Sequence, residues 1–177
     1  MAALAKIQQA AKKPPVASRV QLASGAAGTR QTLEMMAALI RQGRESIPVR
    51  EMAKTLVKGL AQKDYKGEIA ACHAFVRDRV RYTRDIRTVE TLHTAERLLI
   101  DRQGDCDDKS ILVSALLESI GHTTQLVAIG PRRGVFVHVY AQVQDPKKPG
   151  AWINLECTEP WPVGAGAKWK TVMVQAV

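Results

Sequence analysis

Between residues 106 and 158 the hydrophobic period changes once, from 3.6 to 2, and that change constrains the fold more than any other feature of the chain. Ile111, Leu112, Ala115, Leu116 and Ile120 recur at helical spacing up to a stop at Gly121. Three alternating segments follow, Thr124–Ile129, Gly134–Val143 and Ala151–Thr158. They are joined through Gly130-Pro131-Arg132-Arg133-Gly134 and Asp145-Pro146-Lys147-Lys148-Pro149-Gly150. One helix followed by consecutive strands on short connections predicts an α+β fold, with that helix packed on a small antiparallel sheet.

Upstream the pattern is helical. Leu33, Met36, Ala37 and Ile40 mark one face, ended by Gly43. Pro48 opens a second helix carrying Met52, Leu56 and Leu60. Ile69, Cys72, His73, Val76 and Val80 mark a third, with the run ending at Tyr82-Thr83-Arg84-Asp85. Cys72 and His73 read as core. A shorter helix around Glu90–Leu99 presents Leu92, Ala95, Leu98 and Leu99, with His93 on the surface. The chain therefore divides into a basic extended arm (1–30), a helical segment (31–66) and a core (67–177).

Charge separates the arm from the core. Residues 1–67 hold 12 Lys/Arg against 4 Asp/Glu, whereas residues 68–177 hold 14 against 13. Residues 1–30 carry five Lys/Arg and no acid, with breaks at Pro14-Pro15 and Gly25–Gly28. Such an arm suits an acidic surface, or is simply solvated. It lacks the aromatic interleaving or recognisable module that would point to nucleic acid. No apolar run approaches the ~20 residues of a membrane span, and the first residues do not read as a signal peptide. Three cysteines in three different settings fit reduced thiols, in a reducing cytoplasm or an assembled particle, better than a disulfide framework.

The chemistry-bearing residues fall on the period change itself. Gly104-Asp105-Cys106-Asp107-Asp108-Lys109 opens the helix, His138 lies in the second strand and Glu156 in the third. Thiol, imidazole and carboxylate in that order are the parts of a nucleophile system: the thiolate attacks, the imidazole moves the proton, and the carboxylate fixes the tautomer. Asp105 is a plausible N-cap, which puts Cys106 in the first turn, where the helix's positive end lowers a thiol pKa. Asp107 and Asp108 oppose the thiolate, so the depression needs His138 as an imidazolium. Alternation puts Phe136, His138 and Tyr140 on one face, and Trp152, Asn154 and Glu156 opposite Ile153, Leu155 and Cys157. His138 and Glu156 can then face one another across adjacent strands, while Cys157 points away as a buried thiol. The acidic residues around Cys106 do not have calcium-loop spacing and no Cys-x-x-Cys pair exists, so neither a metal nor a cofactor is expected.

With these residues the chain resembles the transglutaminase-like, papain-related superfamily, and looks most like its small bacteriophage-encoded members. The matching text runs from Phe75–Tyr82 through Glu96–Leu99, Gly104–Asp108, Ala115–Leu117, Gly121, Val137–Tyr140 and Trp152–Glu156, about 110 residues. The resemblance implies a cysteine helix packed on an antiparallel sheet, with Cys106 as nucleophile, His138 as general base and acid, and Glu156 where the family usually has aspartate. It also implies that Tyr82 packs near the site and that the Cys106 N–H is an oxyanion donor. The implied activity is attack on an amide bond of a protein or peptide, as a peptidase, amidase or transglutaminase. The other implied role is that of an idle structural or assembly protein of a phage particle, docked on its structural proteins through residues 1–30.

Overall fold

The computed structural model describes residues 21–84, 91–166 and 169–177. Five helices come first among these: α1 (Gly25–Glu45), α2 (Ile47–Val57), α3 (Tyr65–Arg79), α4 (Ala95–Asp101) and α5 (Cys106–Glu118). Two short strands, β1 (Arg81–Tyr82) and β2 (Gln103–Gly104), sit between them as a parallel pair, and β3 (Thr124–Gly130), β4 (His138–Gln144), β5 (Trp152–Leu155) and β6 (Thr171–Ala176) follow. The mixed α+β class expected from the period change is the class observed.

Local chemistry sets most boundaries. Pro48 occupies the first turn of α2, where its missing N–H is no loss. Asp64 caps α3 by accepting from Gly67 N at 3.0 Å, and Thr94 caps α4 by accepting from Arg97 N at 3.3 Å. α4 closes on Arg102 in the left-handed region, at φ 53.

The four long strands form one antiparallel sheet in the order β5-β4-β3-β6. Val139, Ala141 and Val143 of β4 and Leu126 and Ala128 of β3 are buried and form its inner face, which α5 covers. The outer face holds His138, Tyr140 and Gln142 on β4, with Ile129, Val127 and Gln125 opposite them on β3. Across that face Gln125 Nε2 donates to Gln142 Oε1 at 2.6 Å, and Gln142 Nε2 donates to Asn154 Oδ1 at 2.7 Å.

Several elements differ from the sequence expectation. α1 begins at Gly25, inside the stretch read as arm, and runs through Gly43 to Glu45. Gly43 is a packing residue rather than a stop, since a Cβ there would lie 3.0 Å from the Cβ atoms of both Ala95 and Ala115. α2 ends at Val57, which leaves Leu60 outside it and 38% exposed. α4 begins at Ala95, so Leu92 precedes it. α5 is not one-sided: Asp107 to Leu117 are all buried, because α1, α2, α3, α4 and the sheet pack around it. β4 starts only at His138, after a turn in which Val137 N donates to Ile129 O at 2.9 Å. The sequence reading also assigned no strand at Thr171–Ala176. Residues 1–20 of the arm, Asp85 and Glu90 lie outside the described residues.

Candidate active site

Cys106 is the first residue of α5, the helix at the centre of the fold. Asp105 caps it as its position predicts: one carboxylate oxygen accepts from Asp107 N at 3.0 Å and Asp108 N at 3.3 Å. That cap leaves the Cys106 N–H out of its bonds. The approach is fixed from behind by β1–β2, in which Tyr82 pairs with Gly104. Gly104 has to be small, because a Cβ there would stand 2.6 Å from the Cβ of Asp108. Asp108 is itself buried and accepts from His93 N and the His93 ring, both at 3.0 Å. His93 is therefore a half-buried brace for the cysteine turn, not the free surface residue its sequence context suggested. Fifteen residues separate the pair, so no local pattern announces it.

The thiol rests differently from the sequence expectation. Cys106 Sγ donates to Asp107 Oδ1 at 3.3 Å instead of to the imidazole. Burial, reinforced by the adjacent Asp107 carboxylate, pushes this thiol well above its ordinary pKa, against the depression expected at a helix start. Its site still differs from the other two, since Cys72 and Cys157 are fully buried and Cys106 is only part-buried. Burial pushes the Cys72 thiol up to about 12.

His138 and Glu156 meet as strand parity predicts. β4 and β5 pair with Ala141 opposite Leu155, so His138 and Glu156 leave the same face, and His138 Nε2 lies 2.6 Å from Glu156 Oε2. Burial pushes the Glu156 carboxyl up, but its hydrogen bonds from His138 and Thr158 outweigh this and hold it below the usual carboxylate range. An ionised carboxylate only accepts, so Nε2 carries a proton, and in the neutral imidazole Nδ1 then has the lone pair. Glu156 lies one residue past the end of β5.

Two supports of Glu156 were not anticipated. Thr158 donates to Oε1 from its N–H at 2.8 Å and from its hydroxyl at 2.6 Å. His73 Nε2–H donates to the Glu156 carbonyl at 2.7 Å. His73 is buried, as expected of a core residue, and its burial lowers its pKa and keeps it the neutral donor this bond requires. Only the spacing of Thr158, two residues after Glu156, offered a signal in the sequence.

Two clefts converge on His138. One, of about 350 Å³, is lined by Cys106, Asp107, Phe136 and His138, with Leu22, Gly28 and Met36 from α1 and its approach. The other, of about 370 Å³, lies on the outer face of the sheet and is lined by Tyr82, His138, Tyr140, Glu156 and Trp161. Cys106 and His138 thus share a cleft, and Tyr82 stands beside the site. Asp105, Cys106 and Asp107 bring donor atoms within 4.8 Å of one another, a grouping that the helix cap and the thiol hydrogen bond already explain.

A cysteine at the start of a central helix, packed on an antiparallel sheet that carries a bonded His–carboxylate pair, defines the architecture of the papain-like thiol proteins. The chain belongs to the transglutaminase-like superfamily, whose profile matches residues 50–157. No curated protein sequence matches it. Its fold is similar to that of a candidate protease from Parabacteroides distasonis, with 12% identity, a TM-score of 0.56, and coverage of 74% of this chain and 27% of the other. It is also similar to a candidate cysteine protease from Cytophaga hutchinsonii, at 14% identity and a TM-score of 0.52 over 84% of this chain and 57% of the other. Calcium-bound LapG of Legionella pneumophila aligns at 17% identity and a TM-score of 0.51, over 75% and 76%. The chain spans less than two thirds of the first two of these proteins.

Proposed function

We propose that this protein is a cysteine-nucleophile enzyme acting on amide bonds of a protein or peptide, through Cys106, His138 and Glu156. The observation that carries the reading is that His138, held by Glu156 at 2.6 Å, lines a cleft together with Cys106. With Nε2–H held by Glu156, Nδ1 is the lone pair free to take the thiol proton once the Cys106 side chain turns from Asp107. Sγ then attacks the amide carbon, and the Cys106 N–H at the positive end of α5 receives the developing oxyanion. His138 returns the proton to the leaving amine, and the thioester is resolved by water (peptidase or amidase) or by a second amine (transglutaminase-type transfer).

A second reading, an idle assembly protein of a phage particle docked through residues 1–30, is favoured by the resting thiol: its S–H donates to Asp107 and its pKa is raised. Iodoacetamide labelling across pH, located by mass spectrometry, separates the two. The enzyme reading expects Cys106 to label below pH 8, far faster than Cys72 or Cys157, and His138→Ala to slow it by on the order of 100-fold. Equal Cys106 labelling with and without His138 leaves the idle reading.

A further inference from the structure

We infer that the outer-face groove beside His138 selects the amine side of the reaction, and that it takes amines carrying an aromatic or large aliphatic side chain. The inference deepens the proposed function and rests on it. Of the chain's three Trp and three Tyr, two of each line this single groove: Trp161, Trp169, Tyr82 and Tyr140. Tyr82 is 43% and Trp169 38% exposed, so these rings offer surface rather than fill a core. Ile129 and Val137 complete the apolar lining. The charged members are Arg84 and Glu159, of opposite sign, and the Glu156 carboxylate, whose oxygens are taken up by His138 and Thr158. Aromatic walls whose one excess carboxylate is already engaged suit an apolar side chain, bound by area and ring contact.

The placement assigns the side of the bond. Cys106 lines the cleft on the α1 side of His138 and is not part of the outer groove, which His138 and Glu156 line instead. The acyl group stays on sulfur, whereas the leaving amine departs toward the imidazole that protonates it. The occupant of the outer groove is therefore the amine half of the substrate. By microscopic reversibility an incoming amine uses the same groove. Its nitrogen attacks the thioester carbon, the C–S bond breaks with its electron pair going to sulfur, and the amine proton passes through His138 to the thiolate. The products are an amide and the free Cys106 thiol.

The test uses the full chain. p-Nitrophenyl acetate acylates the thiol with release of nitrophenol, and turnover is then followed with phenylalaninamide, glycinamide or lysinamide as acceptor. Phenylalaninamide should half-saturate at a concentration on the order of tenfold lower than glycinamide. Trp161→Ala should bring that ratio close to one, and so should Trp169→Ala, which serves if the first variant does not fold. An unchanged ratio in the folded variants, or tightest saturation by lysinamide, a cation that aromatic walls also accept, overturns the inference. No nitrophenol release from Cys106 sinks the enzyme reading and leaves the groove to be judged by binding. Full-length Cys106→Ala titrated with the same amines, read by tryptophan fluorescence, should prefer phenylalaninamide, and equal binding of all three overturns the groove.

Discussion

The two faces of the four-stranded sheet are made from the same strands, yet they carry side chains of different kinds. On β4, Val139, Ala141 and Val143 are buried against α5, while the intervening His138, Tyr140 and Gln142 are half-buried and polar or aromatic. The inner face contributes apolar area removed from water, and its residues are interchangeable within limits of volume. The outer face contributes orientation: His138 Nε2 is bonded to Glu156 Oε2, and the Thr158 N–H and hydroxyl both donate to Glu156 Oε1. A period of two thus lets one strand hold the fold together with one set of side chains and carry chemistry with the other.

Substitutions should separate the two faces. Leu126→Ala, on the inner face, should lower unfolding free energy by about 2–5 kcal/mol, measured by denaturant titration. Its surviving folded fraction should label at Cys106 as the parent does. A Cys106 rate that falls with stability would show that the faces are coupled.

Asp107→Asn sharpens the comparison from the thiol side. It removes the carboxylate that accepts the Cys106 proton and opposes its ionisation. Alkylation of Cys106 near pH 7 should rise, by on the order of tenfold. A rate that stays level would mean that burial alone sets the resting thiol.

The smallest effect concerns acid stability and links the faces through Glu156. Burial lowers the folded pKa of His73, so the unfolded chain takes up a proton first. This contribution to stability is present above an unfolded pKa of ~6.5 and is lost as pH falls toward the lower folded value. The Glu156 carboxyl is likewise depressed when folded, so its contribution is present above ~4.3 and lost below. Thermal unfolding should therefore weaken in two steps on acidification. His73→Gln, which keeps a donor for the Glu156 carbonyl, should flatten the first step alone. If both steps persist in that variant, other groups own them.

What the sequence made legible was local or periodic. The cap at Asp105, the strand positions of His138 and Glu156 and the face they share each depend on spacing alone. What it concealed depends on partners distant in the chain. α5 is enclosed by the four other helices and the sheet, so its one-sided pattern understated its burial. β6 alternates half-buried and exposed residues and owes its place to pairing with β3, some forty residues earlier. The bonds of His73 to Glu156 and of His93 to Asp108 join residues 83 and 15 positions apart, beyond the reach of any local pattern.

The amide ladder Gln125–Gln142–Asn154 has a consequence for fidelity. A slip of β5 by one residue against β4 would exchange the faces of every side chain on it, turning Glu156 inward and presenting a thiol, Cys157, to His138. β5 is only four residues long, too short for backbone pairing alone to fix its alignment firmly. The Gln142–Asn154 bond exists only in the correct setting of β5 on β4, and Gln125 on β3 holds the Gln142 amide from the other side. They act as an alignment pin, so three amides outside the reacting group decide which acid the histidine receives.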